Sequence, residues 1–175
     1  VRSFTTEIPA PTLASPANNA INFGLTDTLR WNSVTEANSY TLEISLQSNF
    51  SSTILQMSAI GNTYYVVPQG ILQNNKVNYW RVKAIKSSPY NESSWSEIRS
   101  FTTLLATPVL STPKKDSLGF GLSGLLTWNP VSGATAYNVK LSDDPTYATT
   151  ILNQTGVTGN NLAISGLAYN KKYYW

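Results

Sequence analysis

VRSFTT opens the chain at residues 1–6 and IRSFTT stands at 98–103, so one segment is written twice, 97 residues apart. The same offset carries Pro11 onto Pro108, Leu13 onto Leu110 and Pro16 onto Pro113. It carries Phe23-Gly24-Leu25 onto Phe120-Gly121-Leu122, LRWNSV (29–34) onto LTWNPV (126–131), Tyr40 onto Tyr137 and Ser45 onto Ser142. Between 1–45 and 98–142, 18 positions are identical without a gap. Later the offset slips to 95, where Tyr79-Trp80 matches Tyr174-Trp175. A period of that length is one small domain, so the chain reads as a tandem array. On this reading residues 1–6 are the last strand of a preceding repeat and 7–103 a complete module. Residues 104–175 are then a second module that stops before its final strands.

The repeated segments have the grammar of short strands. SYTLEISL (39–46), AYNVKLS (136–142) and VNYWRVKAI (77–85) alternate polar and apolar residues, which places Trp80, Val82 and Ala84 on one face and Arg81 and Lys83 on the other. NTYYVVP (62–68) and NLAISGL (161–167) follow Gly/Asn turns. Turn signals recur about every 8–12 residues and no stretch holds a helical period, which points to an all-β antiparallel sandwich.

Composition narrows the chemistry. Ser, Thr and Asn supply 58 of 175 residues, charged residues only 12%, and Cys and His are absent. Thiol and imidazole chemistry are therefore excluded, and with them disulfides, Cys/His metal sites and a Ser-His triad. The net charge of +3 is scattered; Lys114-Lys115 and Lys171-Lys172 are too short for a nucleic-acid or membrane patch. No apolar stretch approaches the ~20 residues of a membrane helix, and residues 1–15 show no signal-peptide pattern.

In order, the repeated elements are Pro-x-Leu-x-x-x-Pro, Leu-x-Trp-Asn-x-Val, a Tyr-led strand ending in Ser, and Tyr-Trp; Tyr-Trp-Arg-Val-x-Ala and Trp-Ser-x-x-Arg-Ser-Phe-Thr-Thr complete the set in the first copy. This order resembles the fibronectin type III module, in the form strung along bacterial secreted and cell-surface proteins. The resemblance implies tandem seven-stranded antiparallel β-sandwiches of immunoglobulin-like topology. It places Trp31 and Trp128 on the second strand, Tyr40 and Tyr137 on the third, Trp80 and Trp175 on the sixth, and Phe4 and Phe101 on the last, all in the core. It also implies a tyrosine six residues after a leucine, tying the corner before the sixth strand. Leu167 and Tyr173 fit, whereas Leu72 leads to Asn78 in the first copy.

Candidate sites are few. Asp143-Asp144, before Pro145, are turn formers in the ordinary reading. They lack the cleft geometry of a glycosidase pair and fall short of the oxygens calcium needs. No catalytic residue, metal or cofactor is therefore expected. Tyr90, Trp95, Tyr147 and Tyr169 sit at strand ends or turns and are the candidate contacts for a glycan or protein partner. The alternative for Trp95 is a cation–π stack on Arg81 or Arg99. Asn49, Asn91 and Asn153 match the N-glycosylation pattern, as chance allows in so Asn- and Ser-rich a chain. Segment 104–113 is expected to be a short, stiff inter-module joint.

The expected role is a non-catalytic spacer, adhesin stalk or filament-forming array outside the cell. Its partners would be neighbouring repeats, other copies in a fibre, or a surface glycan or protein, with no nucleic acid and no membrane insertion. The alternatives are carbohydrate-binding accessory modules of a secreted glycoside hydrolase and, more weakly, a phage or virion decoration module.

Overall fold

The computed structural model describes every residue except Ser3, Thr5 and Pro89, together with all side chains but theirs and that of Tyr90. It forms two compact units, Val1–Leu104 and Leu105–Trp175. The described residues contain strands and turns but no helix.

In the first unit β1 (Leu13–Ser15), β3 (Thr28–Trp31) and β6 (Tyr64–Val66) form one sheet in the order β1-β3-β6. The second sheet runs β2-β9-β7-β4-β5, from β2 (Ala20–Phe23), β9 (Arg99–Thr103), β7 (Val77–Ser87), β4 (Ser39–Ser45) and β5 (Leu55–Ile60). A short β8 (Tyr90–Glu92) folds back on β7. The first strand of the expected seven is therefore split. β1 pairs antiparallel with β3, and after the bond before Pro16 the chain switches sheets and runs as β2 parallel to β9.

Alternation decides what is buried. Trp80, Val82 and Ala84 of β7 meet Leu29 and Trp31 of β3 and Tyr40, Leu42 and Ile44 of β4 in one core. The repeated residues each have a structural task. Trp31 packs edge-on against Tyr40 at 5.5 Å, and Trp128 against Tyr137 at 5.3 Å. The Tyr40 hydroxyl accepts the Val34 amide at 3.0 Å, and Tyr137 accepts that of Val131 at 2.8 Å. Ser45 Oγ donates to the Ser52 carbonyl at 2.6 Å, and Ser142 Oγ to that of Thr149 at 2.5 Å, each holding the turn after its strand.

The second unit repeats the plan with β10 (Leu110–Thr112), β11 (Gly124–Trp128) and β14 (Asn161–Ile164) in one sheet, and β12 (Tyr137–Leu141) paired with β13 (Leu152–Val157) in the other. A bridge between Ser142 and Tyr174 adds the edge of a further strand. The two missing residues of the shorter copy fall in one loop, Pro68–Ile71 against Ser165-Gly166.

Left-handed backbone positions repeat as well. Asn19 and Asp116, Phe50 and Tyr147, and Asn75 and Asn170 form such pairs. Ala59 (φ 58°) and Gly156 (φ 72°) lie at the register shifts where β5 and β13 bulge on β4 and β12. An L-residue with a side chain pays for this conformation, whereas glycine does not. Gly156→Ala is therefore expected to destabilise the second unit by about 1 kcal/mol, and Ala59→Gly to stabilise the first by about 0.5 kcal/mol, glycine's extra unfolded-state entropy offsetting part of the relief. Urea unfolding of each variant measures both.

The corner before the sixth strand differs between copies. Tyr173 Oη accepts the Ala168 amide at 2.9 Å, as the Leu-to-Tyr spacing predicts. At the equivalent place Asn78 is fully buried; its Nδ2 donates to the Lys76 carbonyl at 3.0 Å, while Oδ1 has no protein partner. Thr103 ties that loop instead, its hydroxyl donating to the Gln73 carbonyl at 2.5 Å and accepting the Lys76 amide at 2.9 Å. Tyr173→Phe is expected to cost the second unit about 0.5–1 kcal/mol, one net hydrogen bond at an exposed site, in a thermal-unfolding comparison.

Two core expectations are corrected. Phe4 is 92% exposed, and neither it nor the other described residues of 1–6 lie in a strand. The matching Phe101 is fully buried because β7 and β2 flank it, while of the described residues of 1–6 only Thr6 meets a strand, its carbonyl accepting from Asn91 Nδ2 of β8 at 3.0 Å. Trp175 is half-buried, packing on Trp128 at 6.4 Å, whereas Trp80 is enclosed.

Candidate interaction surface

Between β8 and β9 the segment Ser93–Glu97 runs beside β7 without being a strand, and two serines three residues apart make this possible. Ser93 Oγ accepts the Ala84 amide at 2.9 Å, and Ser96 Oγ accepts that of Val82 at 3.1 Å. The amides of Ser93 and Ser96 donate in turn to the Ala84 and Val82 carbonyls at 3.0 and 2.8 Å. The serine side chains thus stand in for a missing ladder on a buried strand, where an unpaired amide would be costly.

Held this way, Trp95 lies half-buried on the outer face of β7. The Arg81 guanidinium sits 4.3 Å from its ring centroid and 4.1 Å from that of Phe50, between two aromatic faces. Lys83 Nζ lies 5.2 Å from the Trp95 ring and ion-pairs Glu92 at 2.7 Å. Arg81 also meets the buried Glu43 carboxylate through Nε at 2.9 Å and Nη2 at 2.8 Å, and Gln56 donates to Glu43 from the next strand at 3.1 Å. The result is a ladder of alternating rings and cations with its carboxylate beneath. Arg99 takes no part; it ion-pairs Glu97 at 2.7 Å and donates to the Ala14 and Pro16 carbonyls at 3.4 and 3.2 Å. Phe50 and Glu43 did not emerge from sequence. Glu43 alternates onto the outer face of β4 opposite Arg81, which is a usable signal, whereas Phe50 in its left-handed turn gives none.

The other aromatic candidates do not join this surface. The side chain of Tyr90 lies outside the described residues. Tyr147 and Tyr169 belong to the second unit. Tyr169, in a turn, is 84% exposed. Tyr147 is the counterpart of Phe50 and lines a cleft of about 720 Å³ with Leu110, Phe120, Leu126, Leu141 and Trp175. In the first unit the equivalent space is filled by β9 and the rest of β7, so Leu13 is 3% exposed there and its counterpart Leu110 51%.

The carboxylates of the second unit are engaged in turns and ion pairs, and only Asp116 among them lines the cleft. Asp144 accepts the amides of Thr146 at 2.9 Å and Ala148 at 3.1 Å, and the Thr146 hydroxyl at 2.8 Å; these bonds hold its carboxyl below the ordinary range. Asp143 is lowered by its bond to Lys171 at 2.5 Å and by the Thr149 hydroxyl, and Lys171 is raised in return. Lys172 likewise lowers Asp116, 3.0 Å away. Among the described residues no group of three His, Cys, Asp or Glu could hold a metal ion, and no helix is long and apolar enough to cross a membrane.

No family model and no curated protein matches the chain. Among solved structures it is similar to the FN1–FN3 domains of chicken CNTN1, at 12% identity and TM-score 0.43, covering 95% of this chain and 60% of that one. An Fn3-like protein from Clostridium thermocellum matches at 24% identity and TM-score 0.40, over 57% of this chain and 98% of that one. An α-L-rhamnosidase from Dictyoglumus thermophilum matches at 14% and 0.47, over 77% and 19%. The chain thus spans about 60% of the chicken structure. Its own strand order, the split first strand, the paired Trp–Tyr core and the tyrosine corner give it the immunoglobulin-like sandwich of the fibronectin type III fold.

Proposed function

We propose that the chain is a non-catalytic spacer segment of a repetitive extracellular or cell-surface protein. One observation carries this reading: what the two copies share is scaffolding. Trp31/Trp128, Tyr40/Tyr137 and Ser45/Ser142 each hold a sandwich together. The residues that decorate the outer face are not kept, with Lys140 at the place of Glu43 and Tyr147 at that of Phe50. A chain whose repeat conserves architecture and lets its surface vary acts through length and spacing. The low charge, abundant hydroxyls and lack of thiols suit a hydrated, oxidising exterior.

The second reading, a carbohydrate-binding accessory module, draws on the outward Tyr169 and the ring of Tyr147 at the cleft, since exposed rings stack on sugars. Trp95 favours the spacer, because cations already lie over its ring. A glycan array probed with the 175-residue chain tests the choice. Silence is expected. Binding that is lost on Tyr147→Ala or Tyr169→Ala would overturn the spacer reading.

A further inference from the structure

The first unit closes on itself where β2 and β9 meet. The two strands are neighbours in one sheet and run parallel, with Ala20 opposite Phe101 and Phe23 opposite Thr103. The register shifts between these pairs, so the ladder alone is sparse. Side chains fill it in. Asn18 Oδ1 accepts the Ser100 amide at 2.9 Å, and Asn19 Oδ1 accepts the Ser100 hydroxyl at 2.7 Å. The Asn19 amide donates to the Ser100 carbonyl at 2.8 Å, and the Leu104 amide to that of Phe23 at 3.0 Å. Ahead of β2 the row continues through Arg99, whose Nη1 reaches the Ala14 and Pro16 carbonyls at 3.4 and 3.2 Å. The rings of Phe23 and Phe101 meet across the pair at 4.1 Å, with Phe101 fully enclosed.

Direction gives this row a mechanical meaning. Parallel neighbours point the same way, so the chain enters β2 at one end of the sheet and leaves β9, through Leu104, at the other. Tension along the chain drags β2 backward and β9 forward, and the bonds between them are sheared together. β9 and β7 are antiparallel instead, with Val77 opposite Thr102 and Trp80 opposite Arg99. Drawing the end of β9 away from the start of β7 opens that ladder one pair at a time. Asn19 is suited to its place in the row. Its left-handed backbone (φ 61°), which asparagine tolerates better than most residues, brings both its amide and its side chain onto Ser100.

We propose that the row of bonds joining residues 14–23 to 99–104, with Asn18 and Asn19 on Ser100 at its centre, is the element of the first unit that carries tension along the chain. A protein that holds two things apart needs such an element, so the proposal rests on the spacer reading and deepens it. All of the residues involved lie within the first unit.

Single-molecule pulling of the 175-residue chain along two axes tests it. The sequence has no cysteine, so introduced pairs fix the points of attachment. Glu7→Cys with Leu105→Cys shears β2 against β9. Lys76→Cys with Leu105→Cys unzips β9 from β7, and all three positions are exposed. The first axis is expected to need about twice the force of the second or more, because its bonds share the load instead of meeting it in turn. Asn18→Ala combined with Asn19→Gly, glycine keeping the left-handed backbone, should lower the first-axis force by about a third or more and leave the second unchanged. Tyr40→Phe removes a hydrogen bond elsewhere in the unit and should leave the difference between the axes intact. Equal forces along the two axes would overturn the proposal. So would a first-axis force indifferent to the Asn18 and Asn19 changes, or lowered as much by Tyr40→Phe. Any of these results, with the unit still rupturing in one step, leaves the spacer reading standing. Glycan binding through Tyr147 or Tyr169 removes that reading and does not alter the measured forces.

Discussion

Phe101→Ala is expected to destabilise the first unit by about 3–5 kcal/mol, the usual range for removing a fully enclosed phenylalanine. The same substitution in the same local sequence at Phe4 should change dilute-solution stability by less than about 0.5 kcal/mol, as for a surface residue. The contrast isolates tertiary context, since the segments differ only by Val1 for Ile98. Phe101 is sealed between Phe23 and the core, while Phe4 has water around it. Urea unfolding of the two variants, followed by tryptophan fluorescence, gives both numbers. Equal losses would mean that residues 1–6 are packed in a single isolated chain.

The second large effect is expected at Arg81. Arg81→Met leaves the Glu43 carboxylate buried with Gln56 as its remaining side-chain partner among the described residues and removes the cation from between Phe50 and Trp95. Breaking an enclosed pair from one side costs about 3–5 kcal/mol. The Arg81 side chain keeps 22% of its exposure, so water softens the loss to about 2–3 kcal/mol. Adding Glu43→Met removes the stranded charge, so the double variant should be more stable than Arg81→Met alone. Arg81→Lys retains charge but not the flat stacking plane and should fall in between. If Arg81→Met proves neutral, the ladder is a surface ornament and Trp95 is available for other work.

Most of the sandwich was legible because its residues are written twice. Leu-x-Trp-Asn-x-Val followed by Tyr returns as a packed Trp–Tyr pair with the hydroxyl bonded to the Val amide, and β7 follows its two-residue alternation from Val77 to Ile85. β5 and β13 were not legible: as exposed edges bent by bulges at Ala59 and Gly156, they lack a steady apolar face. Phe4 misled because a local match says nothing of which strands stand beside it. Among the surface residues, the stack of Trp95 on Arg81 followed from proximity along the fold. Phe50 did not, because it reaches Arg81 from a turn far away in sequence.

The spacer account makes one mechanical demand, that a module hold its ends under load and give way as a whole. Single-molecule extension of the 175-residue chain between handles at its two ends measures this. The account predicts one cooperative rupture of the first unit, releasing roughly 300 Å of contour as about a hundred residues extend at about 3.3–3.6 Å each, less the span of the folded unit. Gradual lengthening at low force, with no step of that size, would contradict it.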